Sequence, residues 1–245
     1  MIFRPIWVAL NLIVDTFVLS SMVVIAALLR HRGGFYEWAA RSWSRWAIWS
    51  SGSRVVVEGM EHLALDHPQI IASNHQSWFD VFALAATIPK RYRFIAKEEL
   101  RRIPLFGLAW ESAGHISIDR KDRSKAIRAL DTAAEVMHKD HSAIVIFPEG
   151  TRSPTGELLP FKKGAFMMAL RTGIEILPAA CIGTRAIQKK GDWRVHKGRI
   201  IVRFGPPIDS SQFDEEHREE LMLVVRERIE TMLHQPEKLT GQKDV

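Results

Sequence analysis

Residues 71–80 read IASNHQSWFD. An apolar run ends at Ser73, and within seven residues the chain places Asn74, His75, Ser77 and Asp80. Ser77 with Asp80 three positions later has the form of a capping box, so the stretch reads as a strand turning into a helix at Ser77. His75 then lies on the corner, five residues before a carboxylate. One reading is local and structural: Asp80 caps the helix and His75 is a polar loop residue. The other is chemical: an imidazole and a carboxylate meet at a strand end.

The same strand-to-helix step recurs along the chain. RVVVEG, QIIAS, YRFIAK, HISID, SAIVIF, IEILPAA and RIIVRF are short runs rich in β-branched residues that read as strands. Residues 77–86, 104–112, 122–139, 162–171 and 214–234 carry helical spacing. Alternation of this kind predicts an α/β fold, a mixed and largely parallel sheet flanked by helices on both faces. In such sheets ligands bind beyond the carboxyl ends of strands. NHQSWFD follows one strand, Lys97 ends the next, Asp119–Arg120 closes the HISID strand, and FPEGTR at 147–152 follows the fifth. Each cluster has a bland ion-pairing explanation, such as Glu149 with Arg152, but their common position points to a site.

The 245 residues carry a net charge of +6 and a pI near 9.6, a balance that suits an anionic partner. No nucleic-acid module is present, which leaves a phospholipid surface or a phosphorylated substrate. The single cysteine, Cys181, forms no internal disulfide and fits a reducing compartment. Nothing in the spacing of Cys and His suggests a metal site, and no cofactor motif is seen.

The first fifty residues differ in kind. Ile6 to Leu29 is almost wholly apolar and as a helix would reach about 36 Å. Asn11 and Asp15 interrupt it one turn apart. A carboxylate at mid-depth costs roughly 2.5–3.5 kcal/mol, so both a span and a re-entrant segment are open. After Gly33–Gly34, FYEWAARSWSRWAIWSSG places Phe35, Trp38, Trp43, Trp46 and Trp49 within an arc of about 140°, opposite Glu37, Arg41 and Ser44. Such a stripe suits a core, but Trp beside Arg45 also suits the headgroup layer. The expected organisation is a membrane-associated helical hairpin at 1–52, an α/β domain at 53–235 and a polar tail at 236–245.

Taken together and in order, NHQSWFD, AKEEL with PLFG after it, GHISIDR, FPEGTR, FKKG and ILPAA resemble the motif blocks of the glycerolipid acyltransferases, specifically the 1-acylglycerol-3-phosphate (lysophosphatidate) acyltransferases. The resemblance covers about residues 53–210, and His115 is a departure at a variable place. It implies an α/β domain behind a membrane hairpin, and transfer of an acyl group from acyl-CoA or acyl-carrier protein to lysophosphatidate, without cofactor or metal. It implies His75 as the base and Asp80 as its orienting partner. Glu149, Gly150, Thr151 and Arg152, with Arg120 and Lys97, would bind the glycerol phosphate. Because a carboxylate is an awkward phosphate ligand, Glu149 is expected to orient Arg152 or to accept from a glycerol hydroxyl. Oxyanion donors are expected among the backbone N–H groups near 75–78.

No G-x-S-x-G elbow occurs, in keeping with a substrate hydroxyl in place of an enzyme serine. Other acceptors within the family are a lysophospholipid, a lyso-ornithine lipid or glycerol 3-phosphate. A non-catalytic protein that binds anionic lipid is the alternative from another class. The expected location is a bacterial-type inner membrane, with the catalytic domain on the cytoplasmic side.

Overall fold

The protein is described by a computed structural model covering residues 3–31, 34–119, 123–236 and 243–244. Two helices, α1 (Phe3–Leu28) and α2 (Phe35–Ser50), lead into β1 (Arg54–Glu58) and β2 (Gln69–Ser73). Then follow α3 (Trp78–Thr87), β3 (Tyr92–Lys97), α4 (Phe106–Ser112), β4 (Ile116–Ile118), α5 (Arg123–Asp140) and β5 (Ala143–Ile146). The chain continues through α6 (Gly164–Thr172), β6 (Ile176–Ile182), α7 (Thr184–Ile187), β7 (Arg199–Phe204) and α8 (Arg218–His234). All seven expected strands are present, and the sheet order is β4-β3-β5-β2-β6-β7-β1. The tail adds β8 (Lys243–Asp244), two residues antiparallel to the otherwise open edge of β1.

β2 through β6 run parallel, whereas β7 lies antiparallel to β6 and β1 parallel to β7. All five residues of β2 are buried, as a central strand covered on both faces requires. Ile71 packs on one side with Val145, Leu177, α2 and α3, while Ile70 and Ala72 pack on the other with Ile144, α5, α6 and α8. Adjacent strands β2 and β5 send their connections in opposite directions. β2 leaves through α3 on one face towards β3; β5 leaves through α6 on the other face towards β6. Where connections diverge, a crevice opens beyond the carboxyl ends of the strands. The loops that follow β2 and β5 are NHQSWFD and FPEGTR.

The polar side of α2 faces inward, while Arg45 at the edge of the tryptophan arc stays exposed. On α2, Glu37 and Ser44 are buried, and Arg41 donates to the carbonyls of Ile88 (3.0 Å) and Lys90 (2.9 Å) after α3. The face opposite the tryptophans is therefore docked on the α/β domain. Trp38, Trp46 and Trp49 are exposed, but Trp43, expected in the same exposed arc, is turned inward. It packs edge-on to Phe82 at 5.0 Å and donates to Thr16 Oγ1 at 2.9 Å. The arc is wide enough for its edge to reach the core. On α1, Ser20 is buried, Asn11 and Asp15 are only partly exposed, and Asn11 Oδ1 accepts from Trp46 Nε1 at 3.2 Å. Ile13, Val14, Phe17 and Ile25 point outward. By length and composition α1 is able to cross a membrane.

This packing separates two tryptophans that look alike in sequence. Trp43→Ala should lower the unfolding free energy by about 3 kcal/mol, as expected of a large side chain removed from a packed site. Trp49→Ala should change it by no more than about 0.5 kcal/mol. Urea denaturation of both variants in the same detergent checks the contrast.

Candidate active site

The carboxyl end of β2 is tied to its neighbour before it turns. Asn74 donates from Nδ2 to the carbonyl of Cys181 (3.0 Å) and accepts at Oδ1 from the N–H of Cys181 (2.7 Å), so a side chain continues the β2–β6 ladder. Both residues are fully buried. The chain then turns into α3 through the expected capping box of Ser77 and Asp80. Oδ2 of Asp80 accepts from the N–H groups of Gln76 (2.6 Å) and Ser77 (2.8 Å), and the same oxygen meets Nδ1 of His75 at 3.0 Å. The two readings of this stretch are thus one arrangement: the capping carboxylate is the partner of the imidazole.

Asp80 is fully buried at the positive end of α3, where N–H donors and the helix dipole favour negative charge. A carboxylate can only accept, so Nδ1 of His75 is the donor in this bond, and in the neutral ring the lone pair is on Nε2. The ring is fixed on its other side by Phe147, stacked at a centroid distance of 4.0 Å, with Phe94 stacked behind Phe147. With 14% of its side chain exposed, the imidazole is accessible but not solvated like a surface residue.

FPEGTR closes over this corner. Ser153 donates its N–H to the carbonyl of His75 (2.7 Å), and Gln76 Nε2 donates to the carbonyl of Gly156 (2.8 Å). Glu149, expected to orient Arg152 or meet a substrate hydroxyl, has both oxygens engaged by the backbone instead. Oε1 accepts from the N–H of His75 at 2.6 Å and Oε2 from that of Leu159 at 3.0 Å. It is 2% exposed, and burial pushes its carboxyl up to about 7 despite those two donors. Gly150, at φ +71°, supplies the left-handed turn that directs the loop past Glu149. Arg152 lays its guanidinium over the ring of Trp78 at 5.1 Å, beside the first turn of α3. Thr151 is exposed next to it.

The expected residues do not all converge. Lys97 is exposed at the end of β3, on the same edge of the sheet, without a hydrogen bond to the others among the described residues. Arg120 lies outside the described residues. The oxyanion donors expected near 75–78 are largely committed: His75 N–H to Glu149, and those of Gln76 and Ser77 to Asp80. Two contributors lay beyond the sequence reading. Lys190 donates to the carbonyl of Arg152 (2.8 Å) and to Thr151 Oγ1 (3.3 Å), from a loop with no motif of its own. Asn74 was in view beside His75, but its bond to Cys181 spans 107 residues. His115, the departure in the second block, accepts at Nδ1 from the Phe94 N–H (3.1 Å), and burial holds its ring down to about 3. It is a neutral structural group behind the Phe94–Phe147 stack.

A family model described as Acyltransferase matches residues 54–182, more than half of the chain. The chain belongs to the acyltransferase family. Among its relatives is the 1-acyl-sn-glycerol-3-phosphate acyltransferase of Cocos nucifera, 38% identical over 172 residues that make up 70% of this chain and 55% of that one. The alpha form of the same enzyme from Homo sapiens is 36% identical over 157 residues, 64% of this chain and 56% of the human one. The matched region therefore spans a little over half the length of these relatives. A crystal structure of the 1-acyl-sn-glycerophosphate (LPA) acyltransferase PlsC from Thermotoga maritima superposes with a TM-score of 0.79 at 29% identity, covering 96% of this chain and 97% of that one. The likeness to that acyltransferase thus extends over the helical hairpin as well as the sheet.

Glu149 gives the fold a distinct pH signature. Its folded-state value, about 7, lies above the ordinary 4.5, so between these the folded protein holds a proton that the unfolded chain releases. Its contribution to stability is full below about pH 4.5 and is lost as pH rises through about 7. Glu149→Gln should remove this component. Across that window the unfolding free energy of the parent should decline relative to that of the variant, as measured by denaturation at a series of pH values.

Proposed function

We propose that this chain is a membrane-bound acyltransferase that esterifies the free hydroxyl of lysophosphatidate, using the acyl thioester of coenzyme A or acyl-carrier protein and yielding phosphatidate for phospholipid synthesis. The observation that carries this reading is the His75–Asp80 pair, set in the crevice between β2 and β5 with Arg152 at its rim. The relatives' names supply the acceptor.

His75 Nε2 takes the proton of the acceptor hydroxyl as its oxygen attacks the thioester carbonyl. Asp80, through Nδ1, holds the tautomer and stabilises the imidazolium that forms. Collapse of the tetrahedral intermediate breaks the carbon–sulfur bond, and the imidazolium returns its proton to the departing thiolate. The products are an ester and a free thiol, and no group on the protein becomes acylated. Arg152, with Thr151 and Lys97, receives the acceptor phosphate, since a guanidinium binds phosphate oxygens in pairs. Arg120 keeps the same role as part of the proposal. Glu149 is a positioning residue: it fixes the backbone of His75 and the start of the loop that leads to Arg152.

The hairpin at 1–52 places this site at the membrane. Its outward apolar face and exposed Trp46 and Trp49 suit lipid, and Arg41 ties its polar side to the domain through the carbonyls of Ile88 and Lys90. The α/β domain then lies on the cytoplasmic side of a bacterial-type inner membrane, in keeping with a buried, unpaired Cys181.

His75→Ala should abolish transfer, a loss on the order of a hundred- to ten-thousand-fold, in a protein that still folds and partitions to vesicles. Near-parent turnover would remove the proposal. Arg152→Ala should raise the KM for lysophosphatidate by about tenfold or more and leave that for the thioester within about twofold. Glu149→Gln should act through kcat and leave the acceptor KM near the parent value, whereas a substrate ligand would move KM. Initial rates with both substrates varied check the two variants.

A further inference from the structure

The loop between α7 and β7, residues 188–198, belongs to none of the motif blocks, yet it is basic. From Gln188 to Gly198, QKKGDWRVHKG contains four cations and one carboxylate. That carboxylate, Asp192, is engaged by Arg194, which donates to both of its oxygens. At the tip stands Trp193, 60% exposed. An indole this open beside Lys189, Lys190 and Arg194 is unusual for a surface that meets only water.

Its exposure is built in rather than left over. His196 donates its N–H to the carbonyl of Ile187 (2.9 Å), and Asp192 donates its own to that of Lys189 (3.1 Å). Val195 is buried in the same core as Ala47 and Ile48 of α2. Gly198 donates to Ser53 Oγ at 3.1 Å, and a Cβ on Gly52 would lie 3.6 Å from that of Lys197. The base of the loop is therefore seated on the junction between α2 and β1, three residues beyond Trp49. Its other side reaches the candidate site through Lys190, on the carbonyl of Arg152. The topology agrees: β6 ends, and β1 and β7 begin, at the end of the sheet where β2 delivers His75.

We propose that residues 188–198 form a second membrane contact, a Trp-tipped basic loop that docks on anionic phospholipid headgroups and sets the mouth of the acceptor site at the bilayer surface. The inference rests on the membrane reading of the hairpin. Trp193 lies in the headgroup layer, as an amphipathic indole prefers, and Lys189 and Lys197 meet lipid phosphates. A bilayer suits these features better than an acidic carrier protein, because the loop is seated beside the end of α2, where Trp46 and Trp49 are exposed. The consequence is a preference for anionic over neutral membranes that the apolar outer face of α1 cannot supply.

The test uses the full chain. Cys181 is fully buried, so Trp193→Cys can be labelled alone with an environment-sensitive fluorophore. Ile13→Cys on the outer face of α1 and Glu230→Cys on exposed α8 serve as references. With phosphatidylglycerol-containing vesicles, the labels at 193 and 13 should shift to the blue, and the label at 230 should stay in water. With phosphatidylcholine alone, the shift at 193 should be lost and that at 13 kept. In the parent background, Lys189→Gln with Lys197→Gln should weaken partitioning to the anionic vesicles by about tenfold or more. Turnover of a short, water-soluble acceptor should stay unchanged in that double variant. A label at 193 that remains in water while that at 13 enters the bilayer overturns this inference and leaves the hairpin reading standing. Labels that both remain in water overturn the two together. A response at 193 to acyl-carrier protein but not to vesicles also overturns it, assigning the loop to the donor.

Discussion

One carboxylate oxygen, Oδ2 of Asp80, accepts from the backbone of Gln76 and Ser77 and from the ring of His75. Two of those bonds begin helix α3 and the third holds the imidazole, so the geometry of the proposed base is inherited from the geometry of a helix start. A buried carboxylate is costly unless its charge is matched, and here the N–H groups and the positive end of α3 provide the match. The ring cannot turn without losing that bond and the stack on Phe147. Its tautomer is fixed by the same contact. A catalytic group set on a helix terminus is more firmly held than one on a free loop.

The sheet decides what stands opposite. Because β2 and β5 are neighbours with connections leaving on opposite faces, the loops NHQSWFD and FPEGTR meet over one crevice. Once there, they are joined by backbone rather than by substrate: Ser153 N–H to the His75 carbonyl, and the Glu149 carboxylate to the His75 N–H. Breaking one member of such a buried network leaves its partner unsatisfied, which costs more than the bond contributed. Glu149 is accordingly under strain of a chemical kind. It is buried enough to favour its neutral form, and it is held by two donors that need the anion.

Much of this was legible in the residues. Seven β-branched runs gave the strands with little error, because a strand covered on both faces has a composition that few other segments share. Ser77 and Asp80 marked the helix start, and His75 stood in plain view. What the sequence withheld depends on contacts between distant segments. Glu149 sits in a motif whose resemblance points to substrate, but its partners are N–H groups at residues 75 and 159 that no spacing reveals. Lys190 reaches Arg152 from 38 residues away and carries no pattern. Trp43 lies in the same helical arc as Trp46, yet one is packed on Phe82 and the other exposed, since periodicity gives an arc but not its edges. The inward-facing polar side of α2 was readable as polar and not as inward.

That inversion supports the proposal that this sheet works on lipids. The polar side of α2 packs on the domain, with Arg41 on the carbonyls of Ile88 and Lys90, which leaves apolar surface outward. In the proposed mechanism the acceptor hydroxyl takes the place of an enzyme serine, and the central claim is its direct attack on the thioester. It is tested by mixing the enzyme with a radiolabelled acyl thioester in the absence of acceptor, quenching in acid and counting label on the protein. The account predicts none above background, with intersecting initial-rate lines when both substrates are varied. Label incorporated in proportion to enzyme, with parallel lines, would mean a covalent acyl-enzyme and would contradict it.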